Sequence, residues 1–511
     1  MRPLGPAPAQ LAPACRPAEA AEAGQCGSVS WGIEARDKLK LGGAKVEDSK
    51  FEIEIQKKQA EKKRSRLGHA ASKSLILLPL SSASKNAALA IARSMSSQSS
   101  SPPLMPEPSV LRNDSSLLTR RFGKEVVNYY AGTRLNRYSF LRTDALFLRR
   151  AAASPAARYV VLRDLNPLVA DRRRLACLGF ADVRPLIGPD PFRLTDDEAA
   201  EQFDSVAAAQ TPLVLFLGTV EGDDADQAVD LDTAQNGLVH AQPYFALDAT
   251  PRGPYAKAAD DFWSNQEAKG LVLQANVRNM TLNAEAASMY AQARSMIDWN
   301  VRNPFCAGCG SPTLSVAAGY KRICPPADRA YPDRPALDCP TRLGVSNVCF
   351  PRSDPTMIAA VVSADGQRIL LGRQSRYPPH WYSTLAGFLE PGESVEEAVR
   401  REVWEEAGVK VGRVVIHSSQ PWPYPATLML GAIAQALPGH EHVVLNDKEL
   451  ELAKWFSLDE VSAALRRSLP TKNAPTEDIE HDALRLPPPQ AIANQLISAV
   501  VSGFLTNSPK I

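Results

Sequence analysis

Three glutamates stand close together between Gly387 and Val409: Glu402, Glu405 and Glu406. Residues three and four positions apart are neighbours on a helix, so these like charges repel one another and destabilise it slightly. Clustered carboxylates become favourable when they share a hard divalent cation, and Mg²⁺ is commonly divided between one or two carboxylates and substrate phosphates. The cluster therefore predicts metal-dependent phosphoryl chemistry, in which the metal neutralises a pyrophosphate and helps to generate a hydroxide nucleophile.

The sequence around the glutamates predicts a packed helix rather than a freely solvated acidic face. Ser394 and Glu397 form a capping box that marks the helix start, and Gly408 suits the left-handed residue that ends it. The preceding GFLEPGE contains two glycines and a proline, which allow close backbone approach. Apolar residues that pack such a helix interleave with the acids, at Val399, Val403 and Ala407.

A cluster of cysteines precedes the acidic helix. Cys306 and Cys309 form a C-x-x-C pair, and Cys324, Cys339 and Cys349 follow. A knuckle with two further cysteines is typical of a closed, tetrahedral, structural zinc site. A redox dithiol is the alternative, but the glycine-rich knuckle and the additional cysteines favour zinc. We predict Cys339 as the fourth ligand, with Cys349 as the alternative. Zinc would stabilise a segment too short and too rich in proline to fold by burial alone.

Composition places the chain of 511 residues among soluble globular proteins, with 44% hydrophobic and 22% charged residues. A formal net charge of +2 gives no global argument for nucleic acid or membrane as the main partner. No apolar run reaches the roughly 20 residues that a bilayer span needs. The N-terminus lacks the continuous apolar core of a signal peptide, so we expect reduced thiols or metal ligands rather than disulfides.

Shifts in composition divide the chain into four segments. The first is rich in Ala, Pro and Ser, and its basic run at Lys57–Arg66 reads as a solvated charge cluster in a disordered tail, within which Met95 offers an alternative start. The following segments read as a mixed α/β domain, a cysteine-rich connector and a C-terminal catalytic domain. The predicted boundaries are 1–112, 113–300, 301–350 and 351–511.

Apolar patterns inside these segments predict individual elements. The runs at Tyr159–Asp164 and Pro212–Gly218 are bounded by turn residues and predict buried strands. Between Ala286 and Ile297, apolar residues recur at helical spacing, which predicts a helix packed into the core. Asp365-Gly366 lies between two apolar runs and predicts a hairpin turn.

The acidic stretch resembles the signature of the Nudix hydrolase family. Gly387, then Glu393, then the run REVWEEAGV from Arg401 to Val409 match that signature at its defined positions. The resemblance implies an α/β/α sandwich, in which the signature forms a loop, a helix and a loop. It also implies hydrolysis of a nucleoside diphosphate linked to another group. By the same resemblance, Glu402 and Glu406 bind metal, Glu405 is a further ligand or a base, and Arg401 orients the glutamates.

A second motif, SQPWPYPAT at Ser419–Thr427, resembles the SQPWPFPxS motif of the NADH pyrophosphatase group. Its prolines hold the segment rigid, and Trp422 and Tyr424 offer flat surfaces on which a base or a nicotinamide can stack. A packed loop or a partner-binding proline segment is the alternative interpretation. The resemblance implies substrate contacts along the motif, from Gln420, Pro421, Trp422, Pro423, Tyr424, Pro425, Ala426 and Thr427.

Further features resemble the same group. A zinc ribbon precedes the Nudix domain, a Pro-Arg-x-Asp-Pro stretch begins at Pro351, and Glu449 matches a downstream metal-binding glutamate. Phe350 and Ala493 fall where the group contacts substrate. The run that begins at Arg120 is similar to fungal members in particular. A long insertion between the third and fourth predicted zinc ligands departs from the group's pattern.

The resemblance implies a metal-dependent pyrophosphatase that cuts NADH, and NAD more weakly, into reduced nicotinamide mononucleotide and AMP. Mg²⁺ or Mn²⁺ ions would be held by Glu402, Glu406 and Glu449. One alternative is removal of the NAD cap from RNA by the same site, for which a basic channel leading from the site would be the sign. A catalytically silent module that senses nucleotides is the alternative of a different class, and the intact motifs disfavour it.

The group usually dimerises through its ribbon and Nudix domains, so we expect a homodimer without a membrane partner. The chain ends in SPKI, which differs from the peroxisomal Ser-Lys-Leu signal at Pro509 and Ile511. Fungal relatives are often peroxisomal. The expected location is therefore cytoplasmic or peroxisomal.

Overall fold

A computed structural model of the chain describes residues 105–504, apart from 109–110, 112, 223–224, 226, 235–236, 335–337, 345 and 469–482. The hypotheses about the basic run at Lys57–Arg66, Met95, Pro509 and Ile511 fall outside the described residues. Within the described ranges, no helix combines the length and the apolar character that a membrane span requires.

The first domain is built on an eight-stranded sheet, as far as the structure describes it. Its strands are β1 (Arg158–Arg163), β2 (Asn166–Asp171), β3 (Arg174–Leu175), β4 (Cys177–Leu178), β5 (Leu213–Glu221), β6 (Val229–Asp232), β7 (Leu238–Asp248) and β8 (Val272–Leu273). The central order is β3-β2-β1-β7-β5, with β4 beside β1, β6 beside β7 and β8 beside β2. Strands β1 and β7 run parallel, and the other pairs are antiparallel.

Helices cover this sheet on both faces because its central strands are apolar on both. Along β1, Tyr159 and Val161 enter one hydrophobic cluster, whereas Val160 and Leu162 enter the other. Successive side chains of a strand point to opposite faces, so each face needs its own cover. The helices are α1 (Leu117–Phe122), α2 (Ala145–Ala153), α3 (Phe180–Ile187), α4 (Asp196–Glu201), α5 (Ser205–Ala209), α6 (Ala256–Ala268) and α7 (Ala284–Arg302).

Helix α7 confirms the predicted core helix. Its N-cap Asn283 accepts a hydrogen bond from the backbone N–H of Ala286, and its apolar stripe is buried in the second cluster. Both predicted strands of this domain are also present, in β1 and β5. Met289, Ala293 and Ile297 are among the residues that fill the stripe.

A short antiparallel pair follows α7, formed by β9 (Leu314–Val316) and β10 (Lys321–Ile323). The insertion after Cys324 is tied to the first domain rather than projecting from the ribbon. The backbone N–H of Arg329 donates to the Phe203 carbonyl at 2.8 Å, and Asp328 accepts from the Ser205 N–H at 3.0 Å. These contacts hold the start of the insertion against the segment between α4 and α5.

The second domain is an α/β/α sandwich, as the resemblance implied. Its strands, in the order β14-β15-β11-β12-β16 with β13 beside β11, are β11 (Asp354–Val362), β12 (Arg368–Arg373), β13 (Leu385–Phe388), β14 (Val411–Trp422), β15 (Thr427–Ala436) and β16 (Leu452–Ser457). The predicted hairpin is confirmed, since Val361 pairs with Leu370 and Gly366 at the turn has φ +72°. The helices are α8 (Val395–Ala407), α9 (Leu458–Ser468) and α10 (Ile492–Val501).

Alternation along β11 separates the two layers of helices. Met357 and Ala359 pack with α8 on one face, whereas Ile358 and Ala360 pack with α9 and α10 on the other. The sheet is therefore buried on both sides, as a strand that is apolar at successive positions requires.

The first domain contacts the last part of β14 and the turn that joins it to β15. The Asn128 side chain donates to the Ser418 hydroxyl at 3.0 Å and to the Ser419 carbonyl at 2.9 Å. Arg294, on α7, donates to the Pro423 carbonyl at 2.7 Å. The predicted substrate motif is thus held by a domain that carries none of the acidic cluster.

Candidate active site

The acidic helix α8 has the ends that its sequence predicts. Ser394 accepts from the Glu397 N–H, and the Glu397 carboxylate accepts from the Ser394 N–H at 2.8 Å, which completes the capping box. Gly408 ends the helix in the left-handed region with φ +70°. The helix lies against β13, where the Glu402 carboxylate packs on the α-carbon of Gly387. A Cβ at this position would overlap the carboxylate, so a larger residue would displace Glu402 from its place.

Arg401 binds the acids that surround it. Its guanidinium donates to Glu393 at 2.8 Å, to Glu402 at 2.9 Å and to Glu405 at 3.0 Å. The remaining nitrogen donates to the Phe388 carbonyl at 2.8 Å. These hydrogen bonds, chiefly the one to Glu393, raise the pKa of Arg401, and in turn Arg401 lowers the pKa of Glu393. The orienting role implied for Arg401 is compatible with these contacts.

Glu406 is the buried acid of the cluster. Only 2% of its surface is exposed, and its Oε2 atom has no hydrogen-bond partner among the described residues. Burial, followed by repulsion from Glu402, Asp447 and Glu449, raises the pKa of Glu406 to about 8. Burial also raises the pKa of Glu402. A buried carboxylate with an unused oxygen is costly unless a cation or a proton compensates it.

A loop after β15 brings two further acids to α8. The Val444 N–H donates to the Ala407 carbonyl at 2.9 Å, and the Asp447 N–H donates to the Glu405 carbonyl at 3.2 Å. Asp447 in turn accepts from the Glu449 N–H at 3.0 Å. Through these bonds the loop is fixed along the helix, so that both of its carboxylates act electrostatically on Glu406.

The donor set fits a hard divalent cation. Carboxylate oxygens are the ligands that Mg²⁺ and Mn²⁺ prefer, and the unpartnered Glu406 oxygen is the feature that a cation would relieve. Glu402, Glu406 and Glu449 are the residues that would hold it, with Asp447 beside them. Within the described residues, these carboxylates do not form a compact group of ligand atoms. Arg401 provides the positive charge for Glu402 and Glu405 instead.

The cysteines, by contrast, form a compact group. The ligand atoms of Cys306, Cys309, Cys324 and Cys339 all lie within 4.8 Å of one another, and this group excludes Cys349. The Sγ atoms of Cys306 and Cys339 are 3.4 Å apart, as are those of Cys309 and Cys324. Four thiols at this spacing fit a tetrahedral zinc ion. Of the two candidates for the fourth ligand, the structure places Cys339 in the cluster.

A cavity of about 740 Å³ opens between the two domains and the ribbon. Its lining includes several residues of the predicted substrate set, namely Phe350, Pro421, Trp422, Ala426 and Thr427. The first domain contributes Tyr130 and the ribbon contributes Tyr320. The volume lies within the range of about 300–1,000 Å³ that small-molecule sites occupy.

Other members of the predicted substrate set bind protein groups instead. Gln420 is fully buried: its amide nitrogen donates to the Tyr129 and Gln490 carbonyls, and its oxygen accepts from the Ile492 N–H. Its side chain therefore joins the first domain to α10 and offers no donor to a substrate. Ala493 is buried with its side chain in the core between the sheet, α9 and α10.

Tyr424 does not form the open stacking surface that its sequence suggested. Its hydroxyl lies 3.1 Å from that of Tyr130, and the guanidinium groups of Arg278 and Arg294 lie 4.9 and 4.8 Å from its ring centroid. The ring is therefore occupied by the first domain. Neither Pro423, which is buried, nor the exposed Pro425 lines the cavity.

Known proteins align with the chain across all three parts. Residues 156–299 match the NADH pyrophosphatase-like rudimentary NUDIX domain, residues 302–331 the NADH pyrophosphatase zinc ribbon domain, and residues 354–479 the NUDIX domain. An NAD-capped RNA hydrolase of Schizosaccharomyces pombe is 34% identical over 386 residues, which cover 74% of this chain and 94% of that protein. The chain belongs to the Nudix hydrolase family.

Two further relatives place this Nudix hydrolase in the NADH pyrophosphatase and NAD-capped RNA hydrolase group. The NAD-capped RNA hydrolase NUDT12 of Macaca fascicularis is 34% identical over 389 residues, covering 73% of each chain. The mitochondrial NAD(P)H pyrophosphatase NUDT13 of Mus musculus is 38% identical over 259 residues, covering 50% of this chain and 67% of that protein. The predicted family and the predicted order of an α/β domain, a zinc ribbon and a Nudix domain are confirmed, and the first domain matches a rudimentary Nudix domain.

The structure adds to this Nudix hydrolase what the sequence motifs did not supply. Asp447 was missed, although it stands two residues before Glu449 in the same polar run. The ribbon match ends at residue 331, before the insertion is complete, yet the fold returns Cys339 to the other three cysteines. Spacing along the chain carries no signal for Asp447 and does not separate Cys339 from Cys349, because both contacts depend on where a loop folds back.

Proposed function

We propose that this Nudix hydrolase cleaves the pyrophosphate of NADH, and of NAD, to nicotinamide mononucleotide and AMP with Mg²⁺ or Mn²⁺. The observation that carries the proposal is the buried Glu406 carboxylate, whose free oxygen lies in a cluster with Glu402, Asp447 and Glu449. Such a cluster can bind a divalent cation, which in turn coordinates the phosphates of a substrate.

When bound, the cation would neutralise charge on the pyrophosphate and activate water. The residues of the chain have separate tasks around it. Glu402 and Glu406 are held against β13 by α8, so their carboxylates are fixed before substrate arrives. Glu405 is more exposed, at 40%, and its hydrogen bond to Arg401 orients it as a further ligand or as the base that accepts a proton from water.

The aromatic residues that line the cavity would stack on the bases of the substrate. Trp422 and Phe350 both line it, and aromatic faces stack on nicotinamide and adenine alike. Phe350 keeps 37% of its surface exposed, so its ring is available for stacking.

Removal of an NAD cap from RNA is the second candidate activity. Relatives in the group carry both descriptions, as pyrophosphatases and as NAD-capped RNA hydrolases. The scissile pyrophosphate is the same in NADH and in a capped RNA, so one centre would serve both. A silent nucleotide sensor is the competing function of a different class.

NADH turnover with and without Mg²⁺, in the wild type and in Glu406→Gln, tests the proposal. We expect metal-dependent release of AMP by the wild type and a loss of at least about 100-fold in kcat for the variant. Glu451→Gln, on an exposed residue close in sequence to Glu449, is the control and should retain activity. Tight binding of NADH by the wild type without turnover would establish a sensor and exclude the enzyme.

A further inference from the structure

The lining of the cavity includes a cluster of positively charged residues. Arg137, Arg142, Lys321 and Arg352 line the cavity, and none of the lining residues is acidic. The first domain supplies Arg137 and Arg142, the ribbon supplies Lys321, and the stretch just after the ribbon supplies Arg352. We refer to the four residues as the cation cluster. Its local charge stands out because the whole chain has a formal net charge of only +2.

The cations of this cluster are not used up in ion pairs. In the described part of the chain, no carboxylate lies within 4.0 Å of any of their charged nitrogens. The Arg142 guanidinium stacks on the Tyr320 ring at 3.5 Å and donates weakly to the Arg137 carbonyl at 3.4 Å. Asp196 attracts Lys321 from a longer distance, and its carboxylate accepts the Ala317 N–H. The cluster therefore has capacity for an external anion.

The lining of the cavity and the acidic helix lie at different levels of the second sheet. Thr427, in the cavity lining, pairs with Asp354, whereas Gly387 pairs with Met357. Three residues of an extended strand separate these levels, which corresponds to about 10 Å. The two phosphates of NADH belong at the acidic helix, where the cation would be held. Four further positive charges thus have no counterpart in NADH.

Aromatic rings stand among these cations. Lys321 lies 5.7 Å from the Phe350 ring centroid, and Trp422 and Tyr320 line the same cavity. Aromatic faces interleaved with Lys and Arg are the arrangement by which proteins bind single-stranded nucleic acid, the rings stacking on bases and the cations binding phosphates. The phosphodiester chain of a capped RNA leaves the adenosine ribose at its 3′ oxygen, next to the pyrophosphate.

We propose that the cation cluster binds the first phosphodiester groups of an NAD-capped RNA and so distinguishes it from free dinucleotide. The proposal rests on the proposed function for the choice of substrate. The shared chemistry is a phosphate on the adenosine ribose, which the 2′-phosphate of NADPH also supplies. RNA is favoured, since four cations match several successive phosphates better than one.

The test uses charge reversal at the two exposed members of the cluster, Arg137→Glu with Arg352→Glu. Arg184→Glu with Arg413→Glu is the matched control, since both residues are exposed, outside the cavity lining and equal in charge. Binding of a short 5′-NAD-capped oligonucleotide is measured in the Glu406→Gln background, so that cleavage does not intervene. NADH and NADPH turnover are measured with Glu406 intact.

We expect the cluster variant to raise the Kd for capped RNA about tenfold or more. In a plot of log Kd against log salt concentration, the slope for the cluster variant should be smaller by about 1.4. This is about 0.7 for each of the two phosphate contacts removed. NADH turnover should stay within about twofold of the control pair.

Three results would overturn the proposal: RNA binding equal to that of the control, an equal loss for NADH and RNA, or a loss confined to NADPH. RNA binding equal to that of the control would show that the cation cluster does not bind the RNA phosphates. The second shows that the cations serve the dinucleotide or the fold, and the third assigns them to the 2′-phosphate. If the wild type binds capped RNA with the expected salt slope but cleaves nothing, the proposed function fails while the binding site stands.

Discussion

The carboxylate of Glu402 rests directly on the α-carbon of Gly387, so that helix α8 and strand β13 touch where the acids gather. A methyl group at Gly387 would occupy the space of that carboxylate. We expect Gly387→Ala to displace Glu402 and to lower kcat by about 100-fold or more, since small misplacements of catalytic groups are this costly. Steady-state kinetics with NADH measure the loss.

Gly344→Ala is the control for this substitution, since a Cβ there meets open space. Both variants should show the same circular dichroism spectrum as the wild type. An active Gly387→Ala enzyme would mean that the Glu402 carboxylate moves without consequence, and would remove Glu402 from the site.

The burial of Glu406 makes a prediction about stability in the absence of Mg²⁺. Its pKa of about 8 in the folded chain exceeds the ordinary value of 4.5, so the folded state holds a proton that the unfolded state releases. This destabilises the fold progressively from pH 4.5 to 8, by on the order of 3 kcal/mol at pH 7. Glu406→Gln should therefore melt about 5 °C or more above the wild type at pH 7, with the difference vanishing near pH 4.

The melting comparison requires zinc-containing buffer without Mg²⁺, so that the ribbon stays intact. Adding Mg²⁺ should raise the melting temperature of the wild type and leave that of Glu406→Gln almost unchanged. If both proteins melt alike at pH 7 and respond alike to Mg²⁺, Glu406 is neither strained nor a ligand.

The cysteine cluster predicts different effects for substitutions of Cys339 and Cys349, the two candidates for the fourth zinc ligand. Cys339→Ser removes one of four grouped thiols and should reduce bound zinc well below one ion per chain, with a lower melting temperature. Cys349→Ser, at a position that is also buried, should keep the zinc. Zinc content by elemental analysis after gel filtration checks both, and the reverse pattern would assign the fourth ligand to Cys349.

The contact between Tyr130 and Tyr424 tests the role of the first domain. Tyr130→Phe deletes the hydroxyl that lies 3.1 Å from the Tyr424 hydroxyl, loosening the substrate motif by the usual cost of a hydrogen bond, about 0.5–1.5 kcal/mol. We expect KM for NADH to rise about threefold to tenfold, with kcat changed by less than about twofold.

Tyr159→Phe is the matched control, because it removes a hydroxyl that donates to the Ala152 carbonyl at 2.7 Å inside the same domain. It should reduce stability to a similar extent and leave KM unchanged. An equal rise of KM in both variants would show a general loss of stability rather than a role in holding the motif.

Local patterns predicted the elements that carry the chemistry. The capping box at Ser394, the stop at Gly408 and the interleaved Val399 and Val403 specify α8 from short-range rules alone. The Nudix signature and the cysteine spacing were equally readable, because each keeps its chemistry within a short run of residues.

The sequence did not predict the contacts between segments that are distant along the chain. Gln420 and Tyr424 belong to the predicted motif, yet the first domain occupies both side chains, and nothing near them in sequence indicates Tyr129 or Tyr130 as partners. Asp447 reaches Glu406 only because a loop folds back along α8.

The sequence by itself determined the reaction class, since the clustered acids, their helix and the cysteine pattern are local and chemically specific. Tertiary structure alone decided that a Glu406 oxygen has no partner among the described residues, that Cys349 lies outside the group of four cysteines, and that four cations line one cavity. The physical reason is that burial and charge density are properties of packing, and packing joins residues whose separation along the chain carries no information.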